Sequence, residues 1–213
     1  MAKVVLGVLI SGRGSNLQSI IDAIEAGTLD ARIAVVVSNK ADAFGLQRAQ
    51  KHGIKSLFVD PRPFKGQANP REAYDRALLD VLKAHGVELV ILAGYMKIVS
   101  PVLIDAYEGQ MMNIHPSLLP AFPGLHAQKQ ALDWGTKVSG CTVHVVTEGM
   151  DEGPIVLQAA VPIEEDDTEE TLAARILEQE HRIYPKAIQL FAEGRVRIEG
   201  RRTRISECVN HRA

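Results

Sequence analysis

Short apolar, β-branched runs alternate with amphipathic stretches through most of the chain. Val4–Ile10 is an apolar run that stops at Ser-Gly-Arg-Gly-Ser-Asn, which predicts a buried strand running into a turn. Leu17, Ile20, Ile21 and Ile24 then recur with a helical period, and Gly27 supplies a stop. The alternation continues with a strand at 33–37, a helix at 44–52 ended by Gly53, and a strand at 54–59. A longer helix is predicted over 71–85, with Tyr74, Ala77, Leu78, Val81 and Leu82 on its apolar face and Gly86 after it. The most apolar strand follows at 87–93, and a short one at 111–114.

Apolar strands separated by helices imply a parallel sheet with both faces covered. The pattern changes after residue 138, where strands at 138–146 and 155–161 flank Thr-Glu-Gly-Met-Asp-Glu-Gly-Pro, the spacing of an antiparallel pair with a long loop. A helix is predicted over 168–192, starting at Asp166 or Thr168 and stopped by Gly194. Residues 195–198 read as a last edge strand and the basic tail 201–213 as frayed. The expected fold is therefore α/β and Rossmann-like: a mostly parallel sheet, helices on both faces, and an antiparallel C-terminal strand pair. No repeat, low-complexity segment or linker divides the chain. One domain is expected, with an N-terminal lobe of about 1–100 and a C-terminal lobe of about 101–200 around a cleft.

With 213 residues and 46% hydrophobic content, the chain can bury one substantial core. A formal net charge of -2 excludes the basic excess of a nucleic-acid binder. No apolar stretch reaches the roughly 18 residues of a membrane span. The N-terminus has the short apolar run of a weak signal peptide, but it lacks a small-residue cleavage site and enters a glycine-rich turn. Cys141 and Cys208 lie far apart and form no CxxC pair, which argues against a disulfide scaffold or cysteine zinc site and fits a reducing cytoplasm.

Candidate chemistry concentrates at 113–120, Asn-Ile-His-Pro-Ser-Leu-Leu-Pro. At the end of a strand, Asn113 and His115 point to the same side. A neutral hydrogen-bond donor beside a titratable imidazole suits a reaction that builds negative charge on a carbonyl oxygen. Asp151, between Gly149, Gly153 and Pro154, is the candidate carboxylate to support the imidazole; the bland alternative is a turn-forming aspartate.

Gly12-Arg13-Gly14-Ser15-Asn16 follows a strand and opens a helix, a place where backbone N–H groups can bind an anion. Leu17 replaces the third glycine of a dinucleotide fingerprint, and Ser38-Asn39 stands where that fingerprint wants an acid. A Walker A lysine is also absent. A small phosphate monoester is preferred to NAD or ATP, with a tight turn capped by Ser15 as the alternative. His52 and His85 precede glycines at helix C-termini and read as structural. His126 stands at a helix start, His181 within the last helix, and His144 faces either cleft or core. No histidine pair has metal-ligand spacing, so no metal is expected.

Seven blocks carry a resemblance: LISGRGSNLQ, SNKADAFGLQRA, REAYD, LAGYMKIVSP, NIHPSLLPAFPGLHAQKQAL, MDEGPIVLQ and QEHRIYP. Together they resemble the phosphoribosylglycinamide formyltransferases, a folate-dependent family of purine synthesis. The resemblance implies a formyltransferase fold, 10-formyltetrahydrofolate as co-substrate, and transfer of its formyl group to the amine of 5'-phosphoribosylglycinamide. It implies that Asn113, His115 and Asp151 are catalytic. Gly14, Ser15, Asn16 and Glu180 would bind the phosphorylated substrate. Arg71, Met96, Lys97, Ile98, Val99 and Thr147, with Asn113 and Asp151, would contact the folate. The implied partners are small molecules, with no nucleic acid or membrane, and a monomer or homodimer is left open.

Three departures stand out. Glu152 follows Asp151 where the family often has glycine, residues 62–70 form a long polar stretch before Arg71, and Lys97 replaces a common arginine. The runner-up is a formyltetrahydrofolate deformylase-like hydrolase, in which water replaces the amine. Deformylases normally carry an added N-terminal domain and methionyl-tRNA formyltransferases a C-terminal one, whereas this chain starts directly at its first strand. A non-catalytic nucleotide-binding module would not need the Asn–His–Asp set.

Overall fold

The central strand, β1 (Val4–Ile10), is covered on both sides, which explains its unbroken apolar run. Leu6, Val8 and Ile10 enter one buried cluster and Leu9 the other. The computed structural model describes residues 3–207. After β1 come α1 (Ser15–Glu25), β2 (Ala31–Ser38), α2 (Phe44–Lys51), β3 (Ser56–Phe58), α3 (Pro70–Ala84) and β4 (Leu89–Leu92). The chain continues with α4 (Pro101–Ala106), β5 (Met111–His115), α5 (Ala127–Asp133), β6 (Val138–Val145), β7 (Ile155–Pro162) and α6 (Glu169–Ala192). It closes with β8 (Val196–Glu199) and β9 (Arg202–Ile205).

Seven strands form one sheet in the order β3-β2-β1-β4-β5-β6-β7. The pairs from β3 to β5 are parallel, and β6 and β7 are added antiparallel. The mostly parallel sheet and its antiparallel extension are those expected. On one face Leu17, Ile20 and Ile21 of α1 and Ile176, Tyr184 and Ile188 of α6 pack against Leu89, Ile91 and Met112. On the other, Tyr74, Leu78 and Leu82 of α3 pack against Val35, Val37 and Val90. Gly7 allows that second approach, because a Cβ there would stand 2.5 Å from a Leu82 methyl.

The last helix begins at Thr168, whose hydroxyl accepts from Thr171 N–H while the Thr171 hydroxyl accepts from Thr168 N–H. Fully buried Tyr184 shares its one hydroxyl proton between the carbonyls of Leu92 (2.9 Å) and Met112 (3.0 Å), tying α6 to β4 and β5. Cys141 lies fully buried in β6, and burial pushes its thiol up to about 12.

Several expectations need correction. The strand expected at 54–59 shortens to the three residues of β3, and the six-residue α4 carries no helical period in the sequence because its apolar positions span less than two turns. The tail is not frayed through residue 207: β9 pairs with β8 in a separate antiparallel hairpin turned at Gly200 (φ 61°). Thr203 ties it to the main sheet by donating to the Ile155 carbonyl at 2.5 Å. The strand expected at 195–198 is present as β8, whereas the mostly exposed, charge-rich β9 carries no core pattern. Cys208, His211 and the tail beyond 207 lie outside the described residues. Among the described residues, no helix is long and apolar enough to cross a membrane.

Replacing Tyr184 with Phe should remove the one hydroxyl proton that the carbonyls of Leu92 and Met112 share, while both residues keep their places in the β4–β5 ladder. Urea unfolding should show a loss of about 1–2 kcal/mol with an unchanged m-value.

Candidate active site

Strand alternation places Met112 and Ile114 in the α1–α6 core and turns Asn113 and His115 to the opposite side. On β6, His144 lies directly across from Asn113 in the antiparallel ladder. The Nδ2 of Asn113 is 3.2 Å from Nε2 of His144. Nδ1 of His144 faces the Val145 carbonyl at 3.1 Å, so Nε2 is the ring nitrogen turned toward Asn113 and the cleft. His144, ambiguous in the sequence, therefore belongs to the cleft side.

Asp151 comes from the loop between β6 and β7. Its backbone lies in the left-handed region (φ 54°), which aspartate tolerates better than most side chains. Oδ2 of Asp151 accepts from Gly124 N–H at 2.8 Å and stands 3.3 Å from Nδ1 of His115; its Oδ1 is 3.6 Å from Nε2 of His144. The other ring nitrogen of His115, Nε2, donates to the Phe122 carbonyl at 2.8 Å. The expected three residues are thus brought together, with His144 as a fourth.

The electrostatics pull in two directions. Burial lowers the His115 pKa below its ordinary value; the Phe122 carbonyl and Asp151 oppose this but do not reverse it, and His144 adds to the lowering. Burial would raise Asp151, yet His144, the Gly124 N–H and His115 outweigh it and hold the carboxyl below its usual range. Two acceptors face His115, an arrangement that an imidazolium satisfies with both N–H groups. The free site resists that charge while its neighbours are placed to receive it. Glu152 is exposed and is not among the groups that shift Asp151.

These residues floor a cavity of about 570 Å³. Met96, Ile98, Val99 and Val146 are among its apolar walls, and Lys97 and Thr147 also line it. Lys97 holds its ammonium 5.2 Å from the Tyr74 ring centre. Met96, Ile98, Leu125 and Met150 remain exposed at the cavity, an apolar surface suited to a flat ring system. Arg71 stands apart from the group: it is exposed in the first turn of α3 and does not line the cavity.

The glycine-rich loop forms a second cluster. Gly14, not Ser15, is the residue before α1, and no side chain caps the helix; the Ser15-cap alternative is wrong. Gly14 is left-handed (φ 68°), and a Cβ there would lie 2.6 Å from the Gly45 backbone. Gly45 N–H donates to the Gly12 carbonyl at 3.0 Å and braces the loop against α2. The first-turn N–H groups of α1 have no partners within the helix, the condition for holding an anion.

Asn16 turns inward. Its Nδ2 donates to Oε2 of Glu180 at 2.7 Å, while its buried Oδ1 has no protein partner. Burial raises the Glu180 pKa to about 7, with the Asn16 contact working the other way. Backbone contributors such as the Phe122 carbonyl and Gly124 N–H carry no sequence signal. Among the described residues, no group of three or more His, Cys, Asp or Glu side chains is arranged to hold a metal ion.

A doubly wound sheet, an anion-ready helix start, and an amide and imidazole backed by a carboxylate describe an enzyme of carbonyl-group transfer. The chain belongs to the formyl transferase family, whose model matches residues 3–188. It is 47% identical to phosphoribosylglycinamide formyltransferase of Escherichia coli (strain K12) over 90% of this chain and 88% of that protein. It is 51% identical over 90% of its length to the trifunctional purine biosynthetic protein adenosine-3 of Drosophila pseudoobscura pseudoobscura, of which it spans 14%. Among solved structures it resembles glycinamide ribonucleotide transformylase 1 from Symbiobacterium toebii, with 56% identity and a TM-score of 0.93 over 97% of this chain and 95% of that one.

The raised Glu180 pKa has a stability consequence. Between the unfolded value near 4.5 and the folded value near 7, the native state binds more protons, so this contribution is full below pH 4.5 and is lost as pH rises through about 7. Glu180→Gln should therefore gain stability over the parent at pH 8, by about 1–3 kcal/mol, and little at pH 4.5. Chemical unfolding at both pH values checks the difference.

Proposed function

We propose that the chain transfers the formyl group of 10-formyltetrahydrofolate to the amine of 5'-phosphoribosylglycinamide. The products are 5'-phosphoribosyl-N-formylglycinamide and tetrahydrofolate, in a step of de novo purine synthesis. The observation that carries this reading is the Asp151–His115 contact beside Asn113 on the floor of the cavity. The relatives named as formyltransferases favour the amine acceptor over water.

The proposed chemistry follows from placement. The amine nitrogen bonds to the formyl carbon and the carbonyl π pair moves onto oxygen. The Asn113 amide and Nε2–H of His115 donate to that oxyanion, the latter sharing itself with the Phe122 carbonyl. Developing negative charge offsets the burial that disfavours the imidazolium, and Asp151 faces the other N–H. When the intermediate collapses, the carbon–nitrogen bond to folate breaks, and Asp151 assists, through water, in moving the amine proton to the leaving nitrogen. The folate would occupy the cavity against Met96, Lys97, Ile98, Val99 and Thr147. Arg71 is proposed to meet the distal end of the folate, outside the cavity proper.

The phosphate of the acceptor would sit on the N–H groups of Gly14, Ser15 and Asn16, with Glu180 binding the same substrate. Residues of about 1–100 thus supply the phosphate grip and those of about 101–200 most of the catalytic floor. We further propose a cytoplasmic enzyme acting on small molecules, as a monomer or homodimer.

Formyl transfer should require the glycinamide substrate, and release of tetrahydrofolate in its absence, with water as acceptor, would favour the hydrolase. Asp151→Asn should retain folate binding but lose turnover by about 10²-fold or more. It also removes a contact that raises the His115 pKa, so the His115 imidazole should titrate at lower pH than in the parent, read by NMR. An unchanged kcat would remove Asp151 from the mechanism. Ser15→Glu should raise KM for the phosphorylated substrate far more than for folate, by charge repulsion at the helix start.

A further inference from the structure

The strand order reverses at β1 and β4, and the crevice outside their C-terminal ends is where the glycine-rich loop and the cavity wall meet. One buried side chain joins them. Ser11, 3% exposed, donates its hydroxyl proton to Oδ1 of Asn39 at 2.6 Å and accepts the Met96 N–H at 2.8 Å. A hydroxyl has one proton, so the bond to Asn39 orients a lone pair toward Met96. Asn39, part of the Ser-Asn-Lys block after β2, thus occupies the place of the dinucleotide fingerprint's acid but serves to orient another side chain.

We infer that Ser11, oriented by Asn39, is a positioning residue for the formyl-donor pocket, setting the height of the Met96–Val99 wall from the side of the phosphate loop. This rests on the proposed reading of the cavity as the folate site. The segment's far end is anchored independently, since Ser100 N–H donates to buried Asp75 at 2.5 Å. Its near end is tied at Gly94 by the Ser11 N–H and at Met96 by the Ser11 hydroxyl, and only the second tie, the one on the wall itself, is lost with the side chain. The phosphate loop itself keeps backbone ties when the hydroxyl is lost, because Ser11 N–H donates to the Gly94 carbonyl (3.1 Å) and Gly45 N–H to that of Gly12 (3.0 Å). Loss of the hydroxyl therefore falls on the donor wall and spares the acceptor site.

The test is steady-state kinetics of the full-length chain with both substrates, alongside direct titration of the parent with 10-formyltetrahydrofolate. Ser11→Ala should raise KM for the folate by about three- to tenfold, the range of a lost hydrogen bond, with KM for the glycinamide substrate and kcat near parental values. Asn39→Ala should move the folate KM in the same direction by less, because the Ser11 hydroxyl is present but no longer oriented. Asn39→Asp keeps an acceptor and should restore the parental folate KM. A Ser11→Ala enzyme with both KM values unchanged, or both raised equally, overturns the inference. Should Ser11→Ala not fold, the two Asn39 variants decide it, and equal folate KM values for Ala and Asp overturn it. A parent that does not bind the folate overturns the cavity reading itself, and the role of Ser11 falls with it.

Discussion

A parallel strand in water must be covered on both faces, and that constraint organises the molecule. Even-numbered residues of β1 go to the α1–α6 core and Leu9 to the α3 core. Each helix must return across the sheet, so strand C-termini gather at one edge. There the glycine-rich loop, the 94–99 segment and Asn113–His115 end up side by side. The antiparallel addition of β6 then brings His144 across from Asn113 without another crossover. These polar groups stand together because the core leaves them no other edge.

That edge is nearly dry, which sets the character of the chemistry. His115 and His144 are almost fully buried, and Asp151 is mostly so. Burial depresses the imidazole, while hydrogen bonds and histidine neighbours keep the carboxyl ionised. At rest such a site holds one buried carboxylate beside an imidazole that is kept neutral. It responds when charge develops on a substrate, where low dielectric makes each fixed donor count for more. The left-handed backbone at Asp151 fits the same picture, since the loop accepts local strain to aim one carboxylate at two imidazoles.

Much of this was legible in the residues. The period of Leu17–Ile24, the two-sided run of β1 and the spacing of Asn113 and His115 each have one straightforward reading, and each is found in the structure. Asp151 was approachable because glycines and a proline around it marked a shaped loop. The resemblance, and not the spacing, pointed to Glu180. The inward turn of Asn16, the Phe122 carbonyl and the link from Ser11 to Met96 were not legible, because they depend on which of several allowed rotamers or backbone groups meets a partner far away in sequence. The first strand of the last hairpin was legible at 195–198, while β9 and its pairing were not, because Arg202–Ile205 alternates charge with modest apolar residues and has no core to select a face.

Cys141 gives the fold a built-in clock. Its thiol is sealed within β6, between β5 and β7, and its ionisation is suppressed. It packs in the core that α6 covers, so an alkylating reagent, which attacks the thiolate, reaches it only when α6 lifts from the sheet or the strands part. The rate of modification at this one sulfur, resolved from Cys208 by peptide mass, therefore measures how often this core opens behind Asn113 and His115. Any ligand that lies across the β5–β6 floor will slow that clock in proportion to how firmly it holds the strands together.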